Sequence, residues 1–246
     1  MGGPDERIIA VRALIAGEDP AGAPAGVAGS LRRLCSAAAG AVPASGVGVS
    51  VMSDEGMRGV AAASDPVSET LEQLQFSLGE GPCIDAFASR RVVLEPDLAH
   101  GAWARWVAYA PAAHAQGVGA VFAFPLQVGA ARLGVMDVYR HGPGPLSDES
   151  LAQALTFAEV AVETLLDAQG KAVVGQAAEG LDHALESQYV IYQAQGMTMV
   201  DLGVPLVDAL ARLRAYAYAQ ERPLGEIARD IVAGRLRLRP EPPDAP

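Results

Sequence analysis

The stretch from Gly119 to Tyr139 constrains this chain more than any other. Gly119–Leu126 reads GAVFAFPL and Leu133–Tyr139 reads LGVMDVY, two short runs rich in apolar, β-branched and aromatic residues. Only Gln127–Arg132 separates them, so they are expected to pair as an antiparallel hairpin. Such a hairpin needs further strands beside it and helices to cover it. The flanking sequence offers both. Val47–Met52 (VGVSVM) and Arg91–Leu94 (RVVL) have strand character. Helices are expected at Leu31–Ala39 behind an N-cap at Ser30, at Cys83–Ala88 and at Trp103–His114. Another is expected at Leu151–Ala168, capped by Ser147, Asp148 and Glu149. Glu69–Phe76 fits a short helix or a strand, closed by the turn signal Leu78-Gly79-Glu80-Gly81-Pro82. The Gly, Ala and Pro content of Ala16–Gly29 reads as a loose lead-in. Strands mixed with helices make an α+β domain.

The charge distribution marks a second domain. Residues 1–182 hold 11 cations and 21 acids, a net of −10, whereas residues 183–239 hold 7 arginines and 6 acids, a net of +1. An acidic body followed by an arginine-dotted module argues for a boundary. Gly170, Gly175 and Gly180 interrupt an otherwise continuous helical pattern, and each costs about 1 kcal/mol against alanine, so a hinge is expected at Gln169–Gly180. Beyond it, Leu181–Val232 reads as three short helices. The first stops at Gly203. The second starts near Pro205 and aligns Leu206, Ala209, Leu210, Leu213 and Ala217; the third opens at Pro223 with Leu224, Ile227, Ala228, Ile231 and Val232 on one stripe. The segments are 1–27 lead-in, 28–168 α+β domain (a range implied by the family resemblance given below), 169–180 helical linker, 181–235 three-helix bundle and 236–246 tail.

Several function classes drop out. The overall charge of −11 excludes a globally basic nucleic-acid coat and leaves room for a local basic face. Cys35 and Cys83 cannot build a disulfide framework, and neither CxxC nor Cys/His spacing of a metal site occurs. No signal peptide is recognisable, and apolar runs such as Gly117–Phe124 fall far short of the roughly 20 residues of a membrane helix. The expectation is a soluble cytoplasmic protein. His100, His114, His141 and His183 show no ligand spacing, and no phosphate loop, HExxH or nucleophile elbow is present. Cys83, after a tight turn at a helix start, reads either as an activated thiol or as a small buried hydrophobe, the second being the more ordinary role. Nothing in the sequence argues for an enzyme.

In the C-terminal module, Arg212 and Arg214 interleave with Tyr216 and Tyr218, while Tyr189, Tyr192, Gln188, Gln193 and Gln195 occupy the preceding helix. Guanidinium planes, tyrosine rings and amides can stack on splayed bases and hold phosphates. By spacing alone the same residues fit a solvated polar face.

Two stretches resemble known families. Gly79-Glu80-Gly81-Pro82-Cys83, Asp97-Leu98, Trp103 with Trp106, Phe124-Pro125-Leu126 and Leu133–Tyr139 resemble a GAF domain of the kind found in actinobacterial regulators. Ser187, Ile191, Gln193-Ala194-Gln195-Gly196, Met199, Gly203, Ala209, Leu213-Arg214, Ala217, Leu224 and Ile227-Ala228 resemble an ANTAR domain, the RNA-binding antitermination module. The resemblance implies an α+β GAF sensor ahead of an all-α three-helix ANTAR bundle. It implies a small-molecule pocket involving Cys83, Asp97, Trp103, Trp106, Phe124 and Tyr139, with no metal or nucleotide motif. It implies an RNA face of Gln188, Tyr192, Gln193, Gln195, Gly196, Arg212, Arg214 and Tyr218. The family usually carries arginine where Gln188 stands, lysine where Gln195 stands and phenylalanine where Leu210 stands, so two cations are absent. The implied protein is a homodimer that binds paired hexaloop stem-loops in leader RNA and prevents a terminator from forming. Its rivals are a helix-turn-helix DNA-binding regulator and, more distantly, a thiol reductase using Cys83.

Overall fold

The computed structural model describes residues 3–19, 26–53, 56–171 and 182–239. The chain divides into two compact units, Met1–Ala184 and Leu185–Pro246. The first is a five-stranded antiparallel sheet with helices on both faces. Its strands are β1 (Gly46–Ser53), β2 (Gly56–Ala63), β3 (Val93–Glu95), β4 (Ala120–Val128) and β5 (Ala131–Arg140), in the order β2-β1-β5-β4-β3. The expected hairpin is β4–β5. Phe124 pairs with Met136 and Val121 with Tyr139, and the strands turn at Gly129, whose φ of 56° suits a tight two-residue connection. Strand β2 (GMRGVAAA) escapes a reading for β-branched residues because it contains a single valine.

Strand alternation gives the sheet two unlike faces. One carries Val47, Val49, Phe122, Phe124, Leu126, Met136 and Val138. It is covered by α2 (Gly26–Ala41) and α7 (Asp148–Lys171), which add Leu31, Leu34, Cys35, Phe157 and Ala161 to one apolar core, and α1 (Pro4–Gly17) packs on those two helices. The opposite face carries Gly48, Ser50, Met52, Asp137 and Tyr139 and packs against α3 (Pro66–Leu78) and α4 (Pro82–Ser89). Asp65 starts α3 by accepting the amides of Val67 and Ser68 at 2.9 and 3.0 Å.

Four expectations are corrected. The lead-in contains α1, which is tied to α7 by burial of Val11 and by an Arg12–Glu163 ion pair of 2.6 Å. Ser30 is not an N-cap: α2 begins at Gly26, and the Ser30 hydroxyl donates to the Gly26 carbonyl at 3.3 Å. Trp103–His114 is two helices, α5 (Ala102–Arg105) and α6 (Tyr109–Ala115), because Trp106 leaves helical geometry at φ −129° and ψ 80°. Glu69–Phe76, open between helix and strand in the sequence, is helical throughout, so that reading needs no correction. Helix α7 runs through Gly170 without a break, and the remaining hinge glycines, Gly175 and Gly180, lie outside the described residues.

The second unit contains α8 (Asp182–Leu202), α9 (Leu206–Ala219) and α10 (Leu224–Val232). Gly203 ends α8 in the left-handed region at φ 64°, and Pro205 and Pro223 stand immediately before α9 and α10. Ile191, Ala194, Ala209, Leu213, Ala217, Leu224, Ile227, Ala228 and Ile231 form the buried interior, those of α9 and α10 on the expected stripes, except that Leu206 at the start of α9 is 49% exposed.

Candidate functional site

The polar face of the sheet encloses a cluster of titratable groups. The turn Gly79–Cys83 assembles it. Gly79 ends α3 at φ 72°, and Glu80 accepts the amides of Ala108 and Tyr109 at 2.6 and 2.8 Å, which fixes the start of α6. Gly81, at φ 136°, passes so close to Gln75 that a side chain would collide with it, and Pro82 opens α4. The Cys83 amide then donates to the Gln75 side-chain oxygen at 2.8 Å. Gly48 on β1 serves the same end: a Cβ there would strike the Glu72 side chain, so glycine lets α3 lie close to the sheet.

Within this enclosure Glu72 accepts the hydroxyls of Ser50 and Tyr139, the latter at 2.8 Å. Gln75 donates to Asp137 at 2.7 Å and to Tyr139 at 3.2 Å. The Cys83 sulfur lies 3.6 Å from that of Met52. Ser50, Glu72, Gln75, Cys83, Tyr109, Asp137 and Tyr139 are all fully buried or within 1% of it. Burial raises the pKa of Glu72, against the pull of the Ser50 and Tyr139 hydroxyls. Burial and then the charge of Glu72 raise that of Asp137 well above the carboxylate range. The Cys83 thiol is pushed up by burial and by both acids, the reverse of activation by a helix N-terminus.

In the second unit several polar groups point outward. Tyr189 is 71% and Tyr218 65% exposed, and Gln193 and Arg212 are exposed as well. Arg214 is half-buried; burial lowers its pKa and neighbouring Tyr192 raises it. Arg222 and Arg235 are engaged by Asp230 at 2.8 and 2.7 Å.

Comparison with known families matches the GAF domain to residues 26–165, more than half of the chain. The chain belongs to the GAF family. The ANTAR domain matches residues 179–232, so a GAF domain is followed by an ANTAR domain, the domain content of an ANTAR-type regulator. The GAF domain of a phosphoenolpyruvate-protein phosphotransferase from Coxiella burnetii superposes with a TM-score of 0.51 at 13% identity, over 68% of this chain and 95% of that one. Its counterpart from Acinetobacter gives 0.50 at 13% identity, over 69% and 98%. These likenesses concern the fold. A search of curated proteins found no match.

The residues proposed for the GAF pocket separate. Cys83 and Tyr139 join the buried cluster. Phe124 does not, because strand alternation places it in the apolar core on the other face. Trp106 is buried, its indole N–H donating to Asp85 at 3.1 Å, while Trp103 is 48% exposed. Asp97 caps its own turn through the amides of Ala99 and His100 and pairs with the His100 ring at 3.1 Å. The signals missed were Glu72 and Gln75, one helical turn apart on α3, and Asp137, a charge inside an otherwise apolar strand.

In the ANTAR unit, Tyr192, Gln193, Gly196, Arg212, Arg214 and Tyr218 are at least partly accessible, and the Gln188 side chain lies outside the described residues. Gln195 is turned inward. Its amide donates to the Leu206 carbonyl at 2.8 Å and ties α8 to the start of α9, so it is a structural tether.

Proposed function

We propose that this protein is an RNA-binding transcription antitermination regulator. The GAF domain senses a small molecule, and the ANTAR unit captures stem-loop leader RNA and prevents a terminator hairpin from forming. The observation that carries the reading is the ANTAR match at 179–232 coinciding with outward-facing tyrosines, amides and arginines on α8 and α9. Stacking rings and guanidinium groups suit unpaired loop bases and their phosphates. In this reading the protein acts in the cytoplasm as a homodimer, one ANTAR unit on each of two hexaloops. That no described helix is long and apolar enough to cross a membrane is consistent with it.

The reading includes no catalysis at Cys83. Its thiol is buried with a raised pKa, and Cys35, the other cysteine, sits in the apolar core on the opposite face of the sheet. A resolving partner is therefore out of reach. The test is a gel shift comparing a two-hexaloop RNA with duplex DNA. Preference for RNA is expected; preference for the duplex favours the helix-turn-helix alternative and overturns this reading.

A further inference from the structure

The enclosed cluster of the GAF domain has a feature that sensing a neutral guest does not explain. One carboxylate oxygen each from Glu72 and Asp137 and the Cys83 sulfur all lie within 4.8 Å of one another, each residue fully buried. They arrive from α3, β5 and α4, three different elements. Besides the contacts of Asp137 with Glu72 and Cys83, their hydrogen-bond partners, Ser50, Gln75 and Tyr139, are neutral. Burying acids without a compensating positive charge is costly.

Two further atoms point at the same place. One oxygen of Asp137 and the hydroxyl of Tyr109 find no partner of good hydrogen-bond geometry among the described residues, although both side chains are wholly buried; the polar groups nearest them are Glu72 and Cys83 for Asp137 and Tyr139 for Tyr109. Tyr109 belongs to α6 and lies within the electrostatic reach of Glu72, Cys83 and Asp137 together. A fully buried carboxylate oxygen without a well-placed donor, in a cluster with a thiol and a second carboxylate and near a buried hydroxyl, describes a set of ligand atoms converging on a small cation.

We propose that Glu72, Cys83 and Asp137 bind a divalent transition-metal ion. A thiolate beside two carboxylates suits zinc or ferrous iron, whereas magnesium and calcium prefer oxygen alone. Tetrahedral coordination at about 2.0–2.3 Å sets ligand atoms roughly 3.3–3.8 Å apart, so the observed spacing needs only a modest contraction. Tyr109 or a water takes the fourth position. The hydroxyls of Ser50 and Tyr139 and the amide of Gln75 already orient the two carboxylates, as outer partners of metal ligands do. The ion cross-links α3, α4 and β5 and supplies the missing positive charge.

The test uses the tag-free full chain. Purified protein, or protein reconstituted with Zn2+ after chelation, is expected to retain close to one equivalent through gel filtration. Replacing zinc with Co2+ should produce a thiolate-to-cobalt charge-transfer band. Cys83→Ser should abolish the band and Cys35→Ser should keep it. Glu72→Gln and Asp137→Asn should each weaken binding about tenfold or more, since even outer partners of ligands cost that much. If Cys83→Ser does not fold, alkylation of the parent decides: zinc should slow modification of Cys83 at least several-fold more than that of Cys35. Folded parent protein that takes up neither metal overturns the proposal and leaves a proton shared between Glu72 and Asp137. A cobalt band that survives Cys83→Ser, or equal protection of both cysteines, overturns it too.

Discussion

The two units dispose of their polar residues in opposite ways. The GAF domain turns Glu72, Gln75, Ser50 and Asp137 inward, each with essentially no exposure, and shields them with α3, α4 and α6. The ANTAR unit buries aliphatic residues with Gln195 and Thr198 as the buried polar side chains described, and turns tyrosines, Gln193 and Arg212 outward. An enclosed polar cluster can serve only a partner small enough to be surrounded. An exposed array of rings and cations suits a partner as large as the unit itself. The difference fits the proposed division, with sensing in one unit and capture of a large partner in the other.

If the units are separate in this way, damage to one interior should spare the other. Leu213 is fully buried, and Leu213→Ala should remove about 2–5 kcal/mol. A unit this small has little stability to lose. The variant should lose ANTAR helicity and RNA binding while the GAF domain still melts cooperatively, as circular dichroism and calorimetry can show. Loss of both units together would break the comparison.

Asp65→Ala sharpens the GAF side. It removes the α3 cap and is expected to cost about 1 kcal/mol at neutral pH by chemical denaturation. Burial pushes the Asp65 carboxyl up, but the hydroxyls of Ser68 and Ser64 and two backbone amides outweigh it and hold its pKa low. Its contribution is therefore present above the ordinary carboxylate range and lost as pH falls through the depressed native pKa. The gap between parent and variant should close in acid. A gap independent of pH would mean that the charge is not what caps the helix.

An effect of similar size is expected from Gln195→Ala, about 0.5–1.5 kcal/mol of ANTAR stability for one hydrogen bond. RNA affinity in the folded population should stay near the parent's. A large loss of affinity with stability unchanged would return Gln195 to the contact face.

The sequence discloses this molecule unevenly. The β4–β5 hairpin and the stripes of α9 and α10 were legible because alternation and helical spacing report burial directly. Strand β2, nearly without β-branched residues, carried no such signal. Trp106, whose indole donates to Asp85 across 21 residues of sequence, interrupts an expected helix that no local spacing marks as broken. The buried polar cluster was half legible. Cys83 and Tyr139 belong to motifs, but Glu72 reads as one more polar residue on a short helix until Gly48 permits that helix to approach the sheet. Phe124 went astray because a motif does not say which face of the sheet a residue occupies. Metal-like spacing was absent from the sequence because the three donors come from three elements, 11 and 54 positions apart.

Arg214 tests the central claim most directly. It lies on the shoulder of α9 next to Tyr192, whereas Arg212, about 200° away around the helix, faces elsewhere. A charge-assisted phosphate contact is worth about 1.5–3 kcal/mol, so Arg214→Ala should weaken binding to a hexaloop RNA roughly 10- to 150-fold. The salt dependence should flatten by close to one ion. Arg229→Ala on α10, where the side chain donates to the Gly225 carbonyl, should bind nearly as the parent does. Titrations of both variants over a range of salt, with helicity monitored, give the answer. The account predicts a large loss for Arg214→Ala alone. Parental affinity and salt slope in a fully helical Arg214→Ala would contradict it.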